Sequence, residues 1–325
     1  MAVEHLFGMP LPEIWFMLVF FLLAMFLALD GFDFGVGMLF LTRRKLEEKE
    51  EFMSAIGPLW DGNEVWIVVF GGALFAVFPS VYGSIFGSNY LLVFGILFAL
   101  TLRSLAPEFF KDRDSRLWRK AWGAAFVTGS FFAPFILGMF LDNWLTGTPS
   151  IGISDIVFGS LIVMLSLVEG AGFLLVKTRD ELREEVRGYC MYILAVFLLL
   201  YIPSMIYLQR VLALDMKLSL AVLMMLPLAS TSLATYLVHS ESYGRGFYII
   251  ESLAFEMVAL FAYILYPVID PLTGTTVTQA AVPPLELNIM TVSALGLIPL
   301  ILVYFLVLYP IFSGKVEDEN YEEVE

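Results

Sequence analysis

The sequence predicts an all-α membrane protein of nine transmembrane helices, and three observations predict it. Hydrophobic residues make up 59% of the 325 residues, and they gather in repeated runs long enough to cross a bilayer. The connections between runs are short, under about twenty residues, which leaves no room for a globular domain outside the membrane. Lys and Arg collect in alternate connections, the pattern that the positive-inside rule produces in a polytopic chain.

Apolar windows read against turn and charge signals place the spans at 12–42, 53–82, 89–107, 121–141, 153–177, 188–209, 217–239, 247–269 and 287–312. Arg43, Arg44, Lys45 and Lys49 follow the first span; Arg103, Lys111, Arg113, Arg116, Arg119 and Lys120 flank the third connection. Lys177, Arg179, Arg183 and Arg187 mark the fifth, and Arg245 and Lys315 fall on the same side, whereas only Arg210 and Lys217 fall on the other. The N-terminus is therefore expected outside and the C-terminus in the cytoplasm. Residues 1–316 read as one polytopic domain in the cell membrane, and 317–325, with six acidic residues, as a solvated and disordered cytoplasmic tail.

Composition excludes several chemistries. Cys190 is the single cysteine, so neither an intrachain disulfide nor a CxxC or CxxCH motif exists. His5 and His239 are the only histidines and both fall near span ends, which leaves haem ligation by His little to draw on; axial Met stays open with 15 methionines. The start, MAVEHLFGMPLPEIW, lacks a basic n-region and a small-residue cleavage site, so no cleaved signal peptide is expected.

Within the first span, Asp30-Gly-Phe-Asp33-Phe-Gly-Val-Gly37 puts two acids on one helix face, and Gly31, Gly35 and Gly37 allow a neighbouring backbone to come close. An aspartate at mid-membrane costs roughly 2.5–3.5 kcal/mol, so such residues face a bundle interior, pair, or stay near water. A packing seam with protonated acids and a proton or ion pathway both fit. Asp33 lies roughly 15 Å from the cytoplasmic end at Arg43. Glu169, Glu251 and Glu256 also fall in the inner halves of their spans, and the outer half carries no embedded acid. That asymmetry suits a route bringing protons inward to a site rather than a through-channel.

The second span opens with Ile56-Gly-Pro58-Leu-Trp60-Asp61-Gly62-Asn63-Glu64-Val-Trp66. Proline removes a backbone donor and clashes with the preceding turn, so a break is expected around 55–58. Irregular backbone at that depth needs hydrogen bonds from protein or a wet cavity, which Asp61, Asn63 and Glu64 could supply, with Trp60 and Trp66 as interfacial anchors. Asp61 either caps the helix that follows or relays protons. Arg103, followed by Pro107 and Glu108, either snorkels to the inner surface or pairs with Asp61 or Asp33. A faint internal echo links Glu169-Gly-Ala-Gly172-Phe to Asp30-Gly-Phe-Asp-Phe, as a four-plus-four parallel duplication with a ninth span appended would produce.

DGFDFGVGM and IGPLWDGNEVW, with GGALFAVFP at 71–79, resemble the signature regions of subunit II of the cytochrome bd family of quinol oxidases, and the resemblance continues through Leu102-Arg103 and Glu108. It departs at Ala106-Pro-Glu-Phe-Phe110, where the family's segment is expected to end in a basic or polar residue. The resemblance implies two four-helix bundles plus one helix, in a complex that oxidises quinol and reduces oxygen to water with protons from the cytoplasm. It implies that b- and d-type haems sit in subunit I, that this chain ligates none, and that small single-span subunits, lipid and a structural quinone are partners to look for; nucleic acid is not. Asp61 is then the first proton-relay candidate, followed by Asp33, Asp30, Glu64, Glu108, Glu169, Glu251 and Glu256, with Arg103, Trp60, Asn63, Gly62 and Pro58 in structural or charge-pairing roles. A proton-coupled secondary transporter is the rival reading, although no second broken helix matches the first. A purely structural membrane subunit is the third.

Overall fold

The central helix is apolar almost all round, which is the pattern of a helix buried on every side. In the computed structural model, which describes residues 5–6 and 8–311, this is α1 (Leu11–Leu39), and from Asp30 to Phe40 every one of its residues is buried. A short hairpin of β1 (His5–Leu6) and β2 (Met9–Pro10) precedes it, and a 3-10 turn over Phe40–Thr42 ends it. Lys315 and the acidic stretch 317–325 lie outside the described residues.

The expected second span is not one helix. The amphipathic α2 (Leu46–Ile56) ends at Gly57-Pro58-Leu59, and α3 (Trp60–Val77) starts beyond that turn, as the proline requires. A second break, absent from the sequence reading, comes at Phe78, whose φ −126° and ψ 58° leave the helical region ahead of Pro79. There α4 (Pro79–Ser88) begins. α5 (Tyr90–Lys111), α6 (Arg116–Thr146), α7 (Ile153–Lys177), α8 (Asp180–Val211), α9 (Leu218–His239) and α10 (Tyr243–Leu265) follow. The expected 247–269 span stops at Leu265, because Pro267 and Asp270-Pro271 divert the chain into the hairpin β3 (Val268–Asp270) and β4 (Thr275–Thr276). Beyond the hairpin lie the single-turn α11 (Val277–Ala280) and the long α12 (Pro284–Ile311).

Among the described residues, eight helices are long and apolar enough to cross a membrane: α1 with its 3-10 turn, α5 to α10, and α12. α3 carries Asp61, Asn63 and Glu64 in its first two turns and is not among them, yet its 18 residues rise roughly 27 Å, close to the hydrocarbon thickness. α1 packs against α3, α6, α7 and α10; α5 lies on α6, and α7 to α10 pack in sequence. α12 is largely exposed; it touches α3, and its Thr291 Oγ1 accepts from the Trp15 indole N–H of α1 at 2.9 Å. Arg43, 4% exposed, bonds Glu185 at 2.7 Å, and Arg187 donates to the His239 carbonyl at 2.8 Å, so the ends of α1, α8 and α9 form one basic end of the bundle. At the opposite end Trp144 donates to the Ile269 carbonyl at 2.8 Å and ties the β3–β4 hairpin to α6.

The echo noted in the sequence is a physical contact. α1 and α7 cross where Gly35 meets Gly170: a methyl on Gly35 would strike the Gly170 Cα and the Ser166 carbonyl, and one on Gly170 would strike the Gly35 and Val36 backbone. Small residues at such crossings let backbones touch, which is how helices associate in lipid. Gly35→Ala and Gly170→Ala are each expected to destabilise the protein by about 1–3 kcal/mol, read as a lower Tm in detergent. Gly71→Ala, at a position with open space around it, is expected to leave Tm unchanged or higher.

Candidate functional site

A guanidinium cannot be left alone in a dry bundle, and Arg103 is 1% exposed. α5 is drawn against α6 at Gly129, where a side chain would strike the Arg103 backbone. From there Nη2 bonds Asp30 Oδ1 at 2.8 Å and Glu64 Oε2 at 3.3 Å, and Nη1 stands 3.8 Å from Asp33 Oδ2. The guanidinium lies over the Phe34 ring, 4.9 Å from its centroid, a cation–π contact that stabilises charge away from water. Ser104 Oγ donates to Glu64 at 2.8 Å, and Asn63 Nδ2 donates to Asp33 and to the Leu29 carbonyl, each at 3.0 Å. Arg103 therefore does not snorkel. Asp30 and Glu64 give it charge-assisted bonds and Asp33 adds a third nearby charge, which the surface could not match without stranding these acids.

The break at Pro58 sets up this geometry. It starts α3 so that Asn63 and Glu64 turn toward α1 and α5, while Asp61 turns away and is exposed. Leu59 is the N-cap residue and no side chain bonds it, so Asp61 does not cap the helix. Trp60 and Gly62 are half-buried on the same turn, and Trp66 is buried against Phe305 of α12, 5.4 Å between ring centroids, rather than at an interface. Glu108 is exposed on the last turns of α5, away from the network.

Glu169 and Glu251 extend the acidic region on the other side of α1. Glu169 is fully buried, and its carboxylate sits where a side chain on Gly31 would be. Glu251 interacts electrostatically with both Glu169 and Asp33. No oxygen of either glutamate has a hydrogen-bond partner among the described residues. Glu256, further along α10, accepts from Ser230 at 2.6 Å and Ser252 at 3.2 Å.

The opposite half of the bundle is not free of acids, contrary to the sequence reading. α6 continues to Thr146 and buries Asp142, and the first turn of α7 buries Asp155, each 1% exposed. Gly152 N donates to Asp155 Oδ2 at 2.6 Å. With its amide nitrogen facing them, Asn143 donates to Thr148 O, Asp155 Oδ1 and Ser150 O at 2.6, 2.9 and 3.1 Å, fixing the connection to α7. The signal that could have found these residues is Asn143 and Asp142 directly after an apolar run, ahead of Gly147 at φ +64°. His5 and His239 are both exposed and sit at opposite ends of the bundle. No group of three or more His, Cys, Asp or Glu is placed to hold a metal among the described residues.

Fold and site together define a multi-pass helical membrane protein with an ion-pair network at its centre. Residues 11–312 match the family described as cytochrome bd terminal oxidase subunit II, and the chain belongs to that family. It is similar to cytochrome bd ubiquinol oxidase subunit 2 of Bacillus subtilis, 27% identical over 95% of this chain and 98% of that protein. Cytochrome bd-I ubiquinol oxidase subunit 2 of Escherichia coli K12 is 39% identical over 42% of this chain and 36% of that protein. A chain in the structure of bd oxidase from Geobacillus thermodenitrificans shares the fold, with a TM-score of 0.74 at 17% identity over 93% of this chain and 98% of that chain. As a subunit II, the chain is one component of a haem-containing oxidase complex with subunit I.

Arg103→Leu strands Asp30 and Asp33 in the core and is expected to cost about 3–5 kcal/mol, measured as lost yield and lower Tm of the purified complex. Pairing it with Asp30→Asn is expected to recover a substantial part of that loss.

Proposed function

We propose that this chain is the companion subunit of a bd-type quinol oxidase, in which subunit I holds the haems and oxidises quinol while this subunit supports assembly and delivers cytoplasmic protons. When bound in subunit I, haem supplies the site of oxygen reduction. The protons that reaction consumes need a path through low dielectric, and an intramembrane ionisable network is the usual means. The single observation that carries this reading is the Arg103 network, where Asp30, Asp33 and Glu64 from two helices meet one cation at 2.8, 3.8 and 3.3 Å. Fixed charge and donated bonds at Asn63 and Ser104 orient the carboxylates, so a proton passing along them needs little rearrangement.

In this reading α3 is a ninth crossing, the basic end faces the cytoplasm and the N-terminus lies outside, as the distribution of Lys and Arg supports. The α1, α3, α5 and α6 group and the α7 to α10 group are the two bundles, joined at the Gly35–Gly170 crossing, with α12 appended. Asp61 then has a different place from the one expected of it. It is exposed on α3 in a stripe with Val65, Val68, Gly72 and Phe75, one face of the helix. A carboxylate on an otherwise apolar membrane face does not suit lipid, and subunit I is the partner that would cover it. Asp61 would pass protons across the subunit boundary, with Asp30, Asp33 and Glu64 behind it.

The experiment is oxygen consumption by the purified complex across pH, with haem content measured on the same samples. Asp30→Asn and Asp61→Asn are expected to keep the haem content and slow turnover, on the order of 10²-fold where proton transfer limits it. Unaltered turnover in both at every pH would leave only the assembly role.

A further inference from the structure

Around α1 the acids divide by what surrounds them. Asp30, Asp33 and Glu64 share Arg103, and Glu256 accepts two hydroxyl bonds. Among the described residues, Glu169 and Glu251 have neither cation nor donor on any of their four buried oxygens. An ionised carboxylate in that condition is expensive enough that the group neutralises instead, so the pair holds protons.

Two further observations set where those protons come from. Gly31 is the opening on the α1 side: with no side chain there, the Glu169 carboxylate lies against the backbone between Asp30 and Asp33. On the side toward the basic end the pair is walled off by three rings. Phe173 follows Glu169 by one turn, Phe247 precedes Glu251 by one turn, and Phe32 comes from α1. Phe32 stacks on Phe173 with centroids 4.3 Å apart and interplanar angle 13°; Phe247 stands 6.1 Å from Phe32 and 5.8 Å from Phe173. α7 and α10 close directly beside them, since a methyl on Gly172 would meet Ile250 Cδ1 at 2.8 Å.

The geometry points to Glu169 and Glu251 as a proton store that fills and empties through Asp33 and is sealed from the basic end by Phe32, Phe173 and Phe247. Filling breaks an O–H bond at the Asp33 carboxyl and forms one at the ionised glutamate, leaving Asp33 as a carboxylate beside Arg103 and Asn63. Emptying is the reverse. Asp33 of α1 is the charged group that interacts with the pair across Gly31, and Asp30 of α1, Glu64 of α3 and Arg103 of α5 lie behind it in the network. On the pair's own helices, Glu256 lies further along α10, and Lys177, over the Phe173 ring at 5.5 Å, lies two turns further along α7. The store rests on the reading of the α1 acids as a proton path.

The test is infrared difference spectroscopy on the whole oxidase complex, which reads protonated carboxyl groups by their carbonyl stretch independently of turnover. Glu169→Gln and Glu251→Gln are each expected to remove or shift a protonated-carboxyl band while haem content stays normal. In D2O the wild-type band is expected to exchange slowly, and Phe173→Ala to speed that exchange several-fold by admitting water from the basic end. A band unchanged in both glutamine variants would overturn the store. So would exchange as fast in the wild type as in Phe173→Ala. A band lost with turnover unaltered would support the store, and the proton-uptake reading is tested separately by the Asp30→Asn turnover measurement.

Discussion

One buried cation sets the terms for the rest of this bundle. Bringing a guanidinium out of water costs several kcal/mol even after relaxation, and the cost is met only where carboxylates and hydrogen bonds surround it closely. Here that requirement reaches four helices. α1 must be buried all round to present Asp30 and Asp33, α3 must turn Glu64 inward, and α6 must yield its side chain at Gly129 so that α5 can approach. Gly129 on α6 and the start of α3 after Pro58 both serve to house this charge.

The two halves of the acidic region are then different in kind. On the α3 and α5 side, charge is compensated and geometry is fixed by Asn63, Ser104 and Arg103. Across Gly31 the glutamates are neither compensated nor hydrogen-bonded, and their surroundings are aromatic. A low dielectric strengthens the first arrangement and makes charge costly in the second. α1 is the wall between the two, open at Gly31, and both kinds of environment lie within a single turn of Asp30.

Much of this was legible in the sequence where the chemistry is local. Asp30 and Asp33 on one face of a glycine-bearing helix, the interruption at Gly57-Pro58, and the grouping of basic residues at one end each follow from neighbouring residues alone. What could not be read was pairing over long separation. Arg103 lies 73 residues from Asp30, and snorkelling was locally as good an account of it. The family resemblance makes Asp61 the first relay candidate, but that the turn after Pro58 aims Asn63 and Glu64 inward and Asp61 outward is a rotation that only the packing of α3 determines. Asp142 escaped because α6 runs five residues past its apolar window, and the Phe78 break because a proline at the end of an apolar run reads equally as a helix end. The β3–β4 hairpin is set by the Trp144 bond to Ile269 across 125 residues.

The crossing of α1 and α7 also has a mechanical meaning. Gly35 and Gly170 touch backbone to backbone, whereas Val36 and Ala171, the next residues along, carry side chains and are fully buried. Sliding either helix by one residue would drive a methyl-bearing carbon into the opposing main chain, so the two halves of the molecule have one permitted register. Alternating-access carriers work by rocking one half against the other, and a joint with a single register at its centre is poorly suited to that. It suits a stationary frame.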